Sequence, residues 1–123
     1  PGVELVDVDD RGVLADTYRS SWVTALTSRG EAFGLVLIEA LACGTPVLAG
    51  NSGGMRDVVD SPSVGRLFDG DDERAVANGL LEALELSQDP RTAGACRARA
   101  EHFSTESTTA AYLDLYTELL AAG

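Results

Sequence analysis

Two carboxylates, Glu31 and Glu39, stand on either side of an apolar stretch, with seven residues between them. Glu39 is the only polar side chain in the run Phe33-Gly34-Leu35-Val36-Leu37-Ile38-Glu39-Ala40-Leu41-Ala42. Moving a carboxylate out of water costs several kcal/mol unless a partner meets it. Glu39 therefore either reaches solvent at a helix edge or is met by a hydrogen-bonding partner. The loop Ser28-Arg29-Gly30-Glu31-Ala32 leads into this run. If the run is a helix, the amides of Phe33, Gly34 and Leu35 lie at its amino end, where unpaired N–H groups and the helix dipole favour an anion such as a phosphate. Gly34 would permit close backbone approach. Vicinal sugar hydroxyls donate readily to carboxylates, so two acids beside such a helix end suit a sugar–phosphate–ribose ligand. The plainer alternatives are a solvated edge acid for Glu39 and an ordinary loop acid for Glu31. A second loop, Gly50-Asn51-Ser52-Gly53-Gly54, could also cradle phosphate oxygens, although glycines after a strand are commonly just a turn.

The elements that must position these residues follow from pattern. Val3–Val6 reads as a short strand. Asp9 or Asp10 could cap a helix through about Arg19, with Val13, Leu14 and Tyr18 giving partial helical spacing. The β-branched, apolar segment Trp22–Thr27 reads as a buried strand with Trp22 packed in or beside it. The apolar helix runs from about Gly34 to Cys43, with Gly44 at the position that ends it. Strands are expected over Val47–Ala49 and Val64–Phe68, with a short helix over Met55–Val59 between them. Acid from Asp69 to Glu73 complements the start of a helix to about Leu86, with Val76, Leu80 and Leu84 on one face. Asp89-Pro90 opens another helix to about Phe103, and Ser104 opens the last, along which Leu113, Tyr116 and Leu120 line a face. Strands alternating with helices predict an α/β fold, a Rossmann-like parallel sheet flanked by helices, with extra helices at the C-terminus. Ligands of such sheets bind at the carboxyl ends of the strands.

Composition narrows the classes further. The 123 residues are 45% apolar, enough for one domain with a core, and the formal charge is −11. That charge argues against nucleic acid or an anionic membrane as a partner. All nine basic residues are arginine, which removes Schiff-base and P-loop lysine chemistry. Cys43 and Cys96 are too far apart for a metal motif and read as reduced thiols, Cys43 as a small core residue. His102, the only histidine, is expected near a helix C-terminus and leaves little for a histidine metal site or a serine triad. No leader pattern opens the chain, and no apolar stretch approaches the roughly 20 residues of a membrane span. The acids from Asp69 to Glu73 lack the spacing of a calcium loop.

The string from Ser28 through Glu31, Phe33-Gly34-Leu35 and Glu39 to Ala42-Cys43-Gly44-Thr45-Pro46-Val47 resembles the donor-site signature of group 1 glycosyltransferases, the retaining family 4 of the GT-B fold. Ser52-Gly53-Gly54-Met55-Arg56-Asp57-Val58-Val59 resembles that family's diglycine loop and short helix, and Val64-Gly65-Arg66-Leu67-Phe68 the strand that follows. The likeness runs from Val3 to about Leu120. It implies the C-terminal half of a GT-B fold: residues 1–103 as a partial nucleotide-sugar-binding domain, and residues 104–123 as a helix that crosses back to an N-terminal acceptor domain. It implies that Glu31 touches the donor sugar and lies near the reacting carbon. Glu31, Ala32, Phe33, Gly34 and Leu35 then bind sugar or diphosphate, and Glu39 binds the ribose hydroxyls. Transfer of a hexosyl group would retain configuration, with a UDP-, GDP- or ADP-sugar as donor and neither metal nor cofactor. The family's arginine and lysine for the diphosphate have no match here, and the acceptor domain is missing. The chain is therefore expected to be a fragment, inactive alone. Arg56 stands where the family often has proline and is expected to be a solvated surface arginine.

A second reading is a non-catalytic nucleotide-binding or partner-docking α/β module, motivated by the missing cationic clamp. An arginine–lysine pair upstream of Pro1 would favour the transferase; an intact reading frame beginning at Pro1 would remove it. If the last helix lacks its usual cover, self-association or a re-docked helix follows. The expected location is the cytoplasm, with peripheral association at the inner membrane through the missing half.

Overall fold

The computed structural model describes residues 2–29 and 33–123. The order of elements is α1 (Arg11–Ser20), β1 (Thr24–Leu26), α2 (Leu35–Ala42), β2 (Val47–Gly50), α3 (Met55–Val58), β3 (Gly65–Phe68), α4 (Glu73–Ser87), α5 (Thr92–Glu101) and α6 (Thr105–Ala122). The three strands form a parallel sheet in the order β1-β2-β3. Thr24, Ala25 and Leu26 pair with Val47, Leu48 and Ala49, and Val47 to Gly50 pair with Gly65 to Phe68. This is the α/β architecture expected from the alternation of elements.

The period-2 geometry of a strand sends neighbouring residues to opposite faces. Val47 and Ala49 join the main core with Leu37, Ala40 and Leu41 of α2, Met55 and Val58 of α3, and Cys96 and Ala100 of α5. Leu48 is fully buried on the other face, against α4. There a Cβ on Gly79 would lie 2.7 Å from Leu48 Cδ1. The absent side chain at Gly79 lets α4 press onto the sheet. The inward stripe of α4 is accordingly small, Gly79 and Ala83, while Leu80, expected on that stripe, is turned toward solvent at 38% exposure.

Two expected strands differ from what is observed. Val3–Val6 forms no strand; Val3, Leu5 and Val6 are all exposed. A strand needs a neighbour for its backbone groups, and none of the three strands in the sheet pairs with this segment. The strand expected from Trp22 is only Thr24–Leu26, and Trp22 lies 75% exposed rather than packed. Helix ends follow local chemistry more faithfully. Asp10 caps α1 by accepting from the Val13 amide at 3.0 Å, Asp72 caps α4, and Ser104 caps α6. The helix expected from Asp89-Pro90 begins later, at Thr92, because Asp89 folds into a turn that accepts from the Arg91 amide. His102 sits at the C-cap of α5, as expected. Helix α6 buries no residue, and Tyr112, Leu113, Leu115, Tyr116, Leu119 and Leu120 are exposed along it. No described helix is long and apolar enough to cross a membrane.

Candidate functional site at the carboxyl edge of the sheet

Thr27, Ser28 and Arg29 follow β1, and α2 starts at Leu35 behind its N-cap, Gly34. Glu31 and Ala32, two of the expected site residues, lie outside the described residues. Gly34 is the N-cap of α2 with φ 74°, a left-handed conformation that costs other residues about 1–2 kcal/mol. The first amides of α2, Leu35 and Val36, precede Leu37, whose N–H already bonds to the Gly34 carbonyl at 2.9 Å. They are therefore the open donors of the helix end. Gly34 was expected to permit close approach of a ligand. Its open side is instead filled by Met55, since an added Cβ would meet Met55 Cε at 2.7 Å. Phe33 packs edge-on against Phe103, their ring centres 6.0 Å apart. Phe33, Leu35 and Val36 still leave apolar surface exposed at this helix end.

Loops from all three strands meet in a hollow of about 260 Å³ at the carboxyl edge. Arg29, after β1, forms an ion pair with Asp71, after β3, at 2.8 Å. Asn51, after β2, donates to Asp69 at 2.8 Å. The first loop is thus tied to the third, and the second to the third. The short helix α3 after the diglycine loop is held from behind by Arg99 of α5. Its Nε donates to the Val58 carbonyl at 3.0 Å and its Nη2 to the Asp57 carbonyl, and its guanidinium pairs with Asp60 at 3.2 Å. Arg56 is exposed on α3.

Glu39 lies one turn further along α2, exposed at the edge of the helix. It nevertheless has a partner: the Tyr18 hydroxyl donates to its Oε2 at 3.1 Å. Both alternatives posed by the sequence thus hold together, a solvent-reaching acid that is also hydrogen bonded. Tyr18, at the end of α1, is only 9% exposed. Burial, then the bond to Glu39 and the nearby negative charge, pushes its phenol up to about 12, so it is a donor at neutral pH. Glu39 and Tyr18 line a groove of about 460 Å³ between α1 and α2, with Arg11 and Leu14 on one wall and Ala42 and Cys43 on the other. The structure therefore places Glu39 on the α1–α2 groove, while Gly34 and the start of α2 face the strand-end loops. Neither Tyr18 nor the Arg29–Asp71 tie was singled out from sequence. The one sequence signal for Tyr18 was its place on the helical face it shares with Leu14.

Comparison with known proteins bears on family and fold. The family described as glycosyl transferases group 1 matches residues 3–102. The D-inositol 3-phosphate glycosyltransferase of Xylanimonas cellulosilytica is 45% identical over 112 residues, covering 89% of this chain and 26% of that protein. Its counterpart in Thermobispora bispora is 43% identical, over 87% of this chain and 25% of that protein. Among solved structures, sucrose-phosphate synthase from Thermosynechococcus elongatus superposes with a TM-score of 0.78 at 37% identity, over 96% of this chain and 30% of the other. The chain spans about a quarter of the length of the curated relatives it matches. The sheet and its flanking helices are those of a GT-B fold, and the chain belongs to the group 1 glycosyltransferases.

Proposed function

We propose that this chain is the nucleotide-sugar donor-binding part of a retaining, metal-independent hexosyltransferase whose acceptor is bound by a separate N-terminal domain. The observation that carries the reading is the carboxyl-edge arrangement. A helix begins there at a left-handed glycine with open amides, and an exposed carboxylate stands one turn behind it. Open amides at a helix start favour a diphosphate, and an exposed acid with a fixed orientation suits vicinal ribose hydroxyls. In this reading Glu31 contacts the donor sugar near the reacting carbon, Ala32, Phe33, Gly34 and Leu35 surround sugar and diphosphate, and Glu39 accepts from the ribose. Backbone dipoles and arginines stabilise the departing diphosphate, with no metal asked to do so.

The further parts of the reading are of the same kind. Residues 1–103 form the donor-binding unit, and residues 104–123 the helix that packs on the acceptor domain. Exposed apolar side chains along α6 support such a docking role and some self-association when the partner surface is lacking. The working location is the cytoplasm, at the face of the inner membrane.

The test is kinetic, in the full-length enzyme supplied with UDP-, GDP- and ADP-glucose. Glu31→Gln is expected to lower kcat by 10²-fold or more, on the order expected for loss of a group at the reacting centre. Glu39→Ala is expected to raise donor KM with a smaller effect on kcat. Unchanged kinetics in both variants would overturn the site assignment. A non-catalytic binding module is the second reading. It is favoured by one observation, that Arg29, the cation at the strand-end hollow, is already engaged by Asp71. Donor binding without turnover in the full-length protein would decide for it.

A further inference from the structure

We infer that Tyr18 is a positioning residue for Glu39: its phenol holds one carboxylate oxygen so that the other is presented to the ligand. The inference rests on the reading of Glu39 as a ribose contact. Glu39 is exposed on a helix edge, where a three-torsion side chain samples many directions and a hydroxyl ligand would have to order it on arrival. The Tyr18 O–H···Oε2 bond removes most of that freedom in advance. Among the described residues no other group bonds to the Glu39 carboxylate, so Oε1 is left to accept.

Tyr18 is itself fixed at both ends. The Thr45 hydroxyl, 2% exposed in the Gly44-Thr45-Pro46 turn, donates to the Tyr18 carbonyl at 2.6 Å. The Thr45 amide donates to the Ala40 carbonyl of α2 at 3.0 Å. One threonine therefore joins the last turn of α1 to the last turns of α2, the helix that carries Glu39. The Tyr18 ring is buried in the same core as Leu37, Ala40 and Leu41. The phenol thus reaches Glu39 from a base locked to the acid's own helix. Burial and the adjacent carboxylate also keep the phenol protonated, so the donor is permanent at working pH.

The experiment uses the full-length enzyme and whichever of UDP-, GDP- or ADP-glucose it turns over. Tyr18→Phe keeps the ring in the core and removes only the donor. The expected result is a rise of about 3–10-fold in donor KM, with kcat within about twofold, as for a lost hydrogen bond to a charged group acting through orientation. The rise should disappear with a donor lacking both ribose hydroxyls, and it should be absent when Tyr18→Phe is added to Glu39→Ala. A purely structural tyrosine would lower kcat and raise KM alike for both donors, and its effect would add to that of Glu39→Ala. An unchanged KM in Tyr18→Phe while Glu39→Ala raises it overturns this inference and leaves the donor-site reading standing. An unchanged KM in Glu39→Ala overturns this inference together with the reading of Glu39 as a ribose contact.

Discussion

Gly65→Ala should break the sheet that carries the site. Gly65 lies opposite Val47 in the β2–β3 ladder, and a Cβ there would stand 2.3 Å from the Val47 carbonyl oxygen and 2.9 Å from Val47 Cγ2. Carbon and carbonyl oxygen normally approach no closer than about 3.3 Å, so about 1 Å must be recovered. The obstacle is backbone, and no rotamer change relieves it. Val47 is itself pinned from its amide to the Val64 carbonyl at 3.1 Å and is fully buried. Opening two strands by that much takes ladder bonds out of hydrogen-bonding range. Losing two or three of them at about 1 kcal/mol each, with buried groups left unpaired, gives about 3–4 kcal/mol. That is a large part of the 5–15 kcal/mol that holds a typical domain folded. Gly94→Ala is the matched control. Gly94 lies within α5 with nothing within 4 Å of its would-be Cβ, so alanine should stabilise by about 0.5–1 kcal/mol through the unfolded chain. Urea unfolding of both variants beside the parent decides the matter. A Gly65→Ala protein within about 1 kcal/mol of the parent would refute the steric reasoning.

Three other outcomes follow from the polar and titratable groups. Thr45→Val should cost about 1 kcal/mol, because the Tyr18 carbonyl loses the threonine hydroxyl but keeps the Ser21 amide at 3.1 Å. Thr45→Ser should recover most of it, and a Thr45→Val protein as stable as the parent in urea would contradict the bond's role. For the thiols, partly exposed Cys43 should react with a maleimide in the folded protein while buried Cys96 is protected. Burial pushes the Cys96 thiol up to about 11, and Tyr18 stands near 12. Both groups ionise more easily in the unfolded chain. The stability they contribute is therefore complete below their ordinary values, near 8.5 and 10, and is lost as pH rises through about 11 and 12. Unfolding free energies that stay flat from pH 8 to 12 would rule this out.

The elements best read from sequence are those whose ends are written locally. Helix α2 was legible because Gly34 and Gly44 bracket a run that is apolar but for Glu39, and both glycines adopt positive φ, 74° and 84°. A cap at Asp9 or Asp10 and one at Ser104 were legible because a short oxygen-bearing side chain before a helix satisfies its first amides, and the structure selects Asp10 of the two acids. Val3–Val6 was misread because strand propensity is local while pairing is not, and none of the described strands pairs with it. The inward face of α4 was misread because hydrophobic spacing favours Leu80, whereas the close approach to Leu48 selects Gly79. At the site, the acids and the helix-start glycine stood out by spacing. Tyr18 did not, since its bond to Glu39 joins two helices 21 residues apart, and nothing in the spacing of α1 announces which residue of α2 it will meet.

The packing of Gly34 on Met55 bears on how this edge can be changed. The first turn of α2, the short helix after the diglycine loop and the end of α5 touch through Gly34–Met55 and Phe33–Phe103, and Arg99 binds α5 to the carbonyls of α3. The loops of the carboxyl edge therefore form a matched set. Replacing residues 28–34 with those of a relative transplants a single piece of that set. Met55, Phe103 and Arg99 must travel with it, or the grafted helix start will settle at a different height above the sheet.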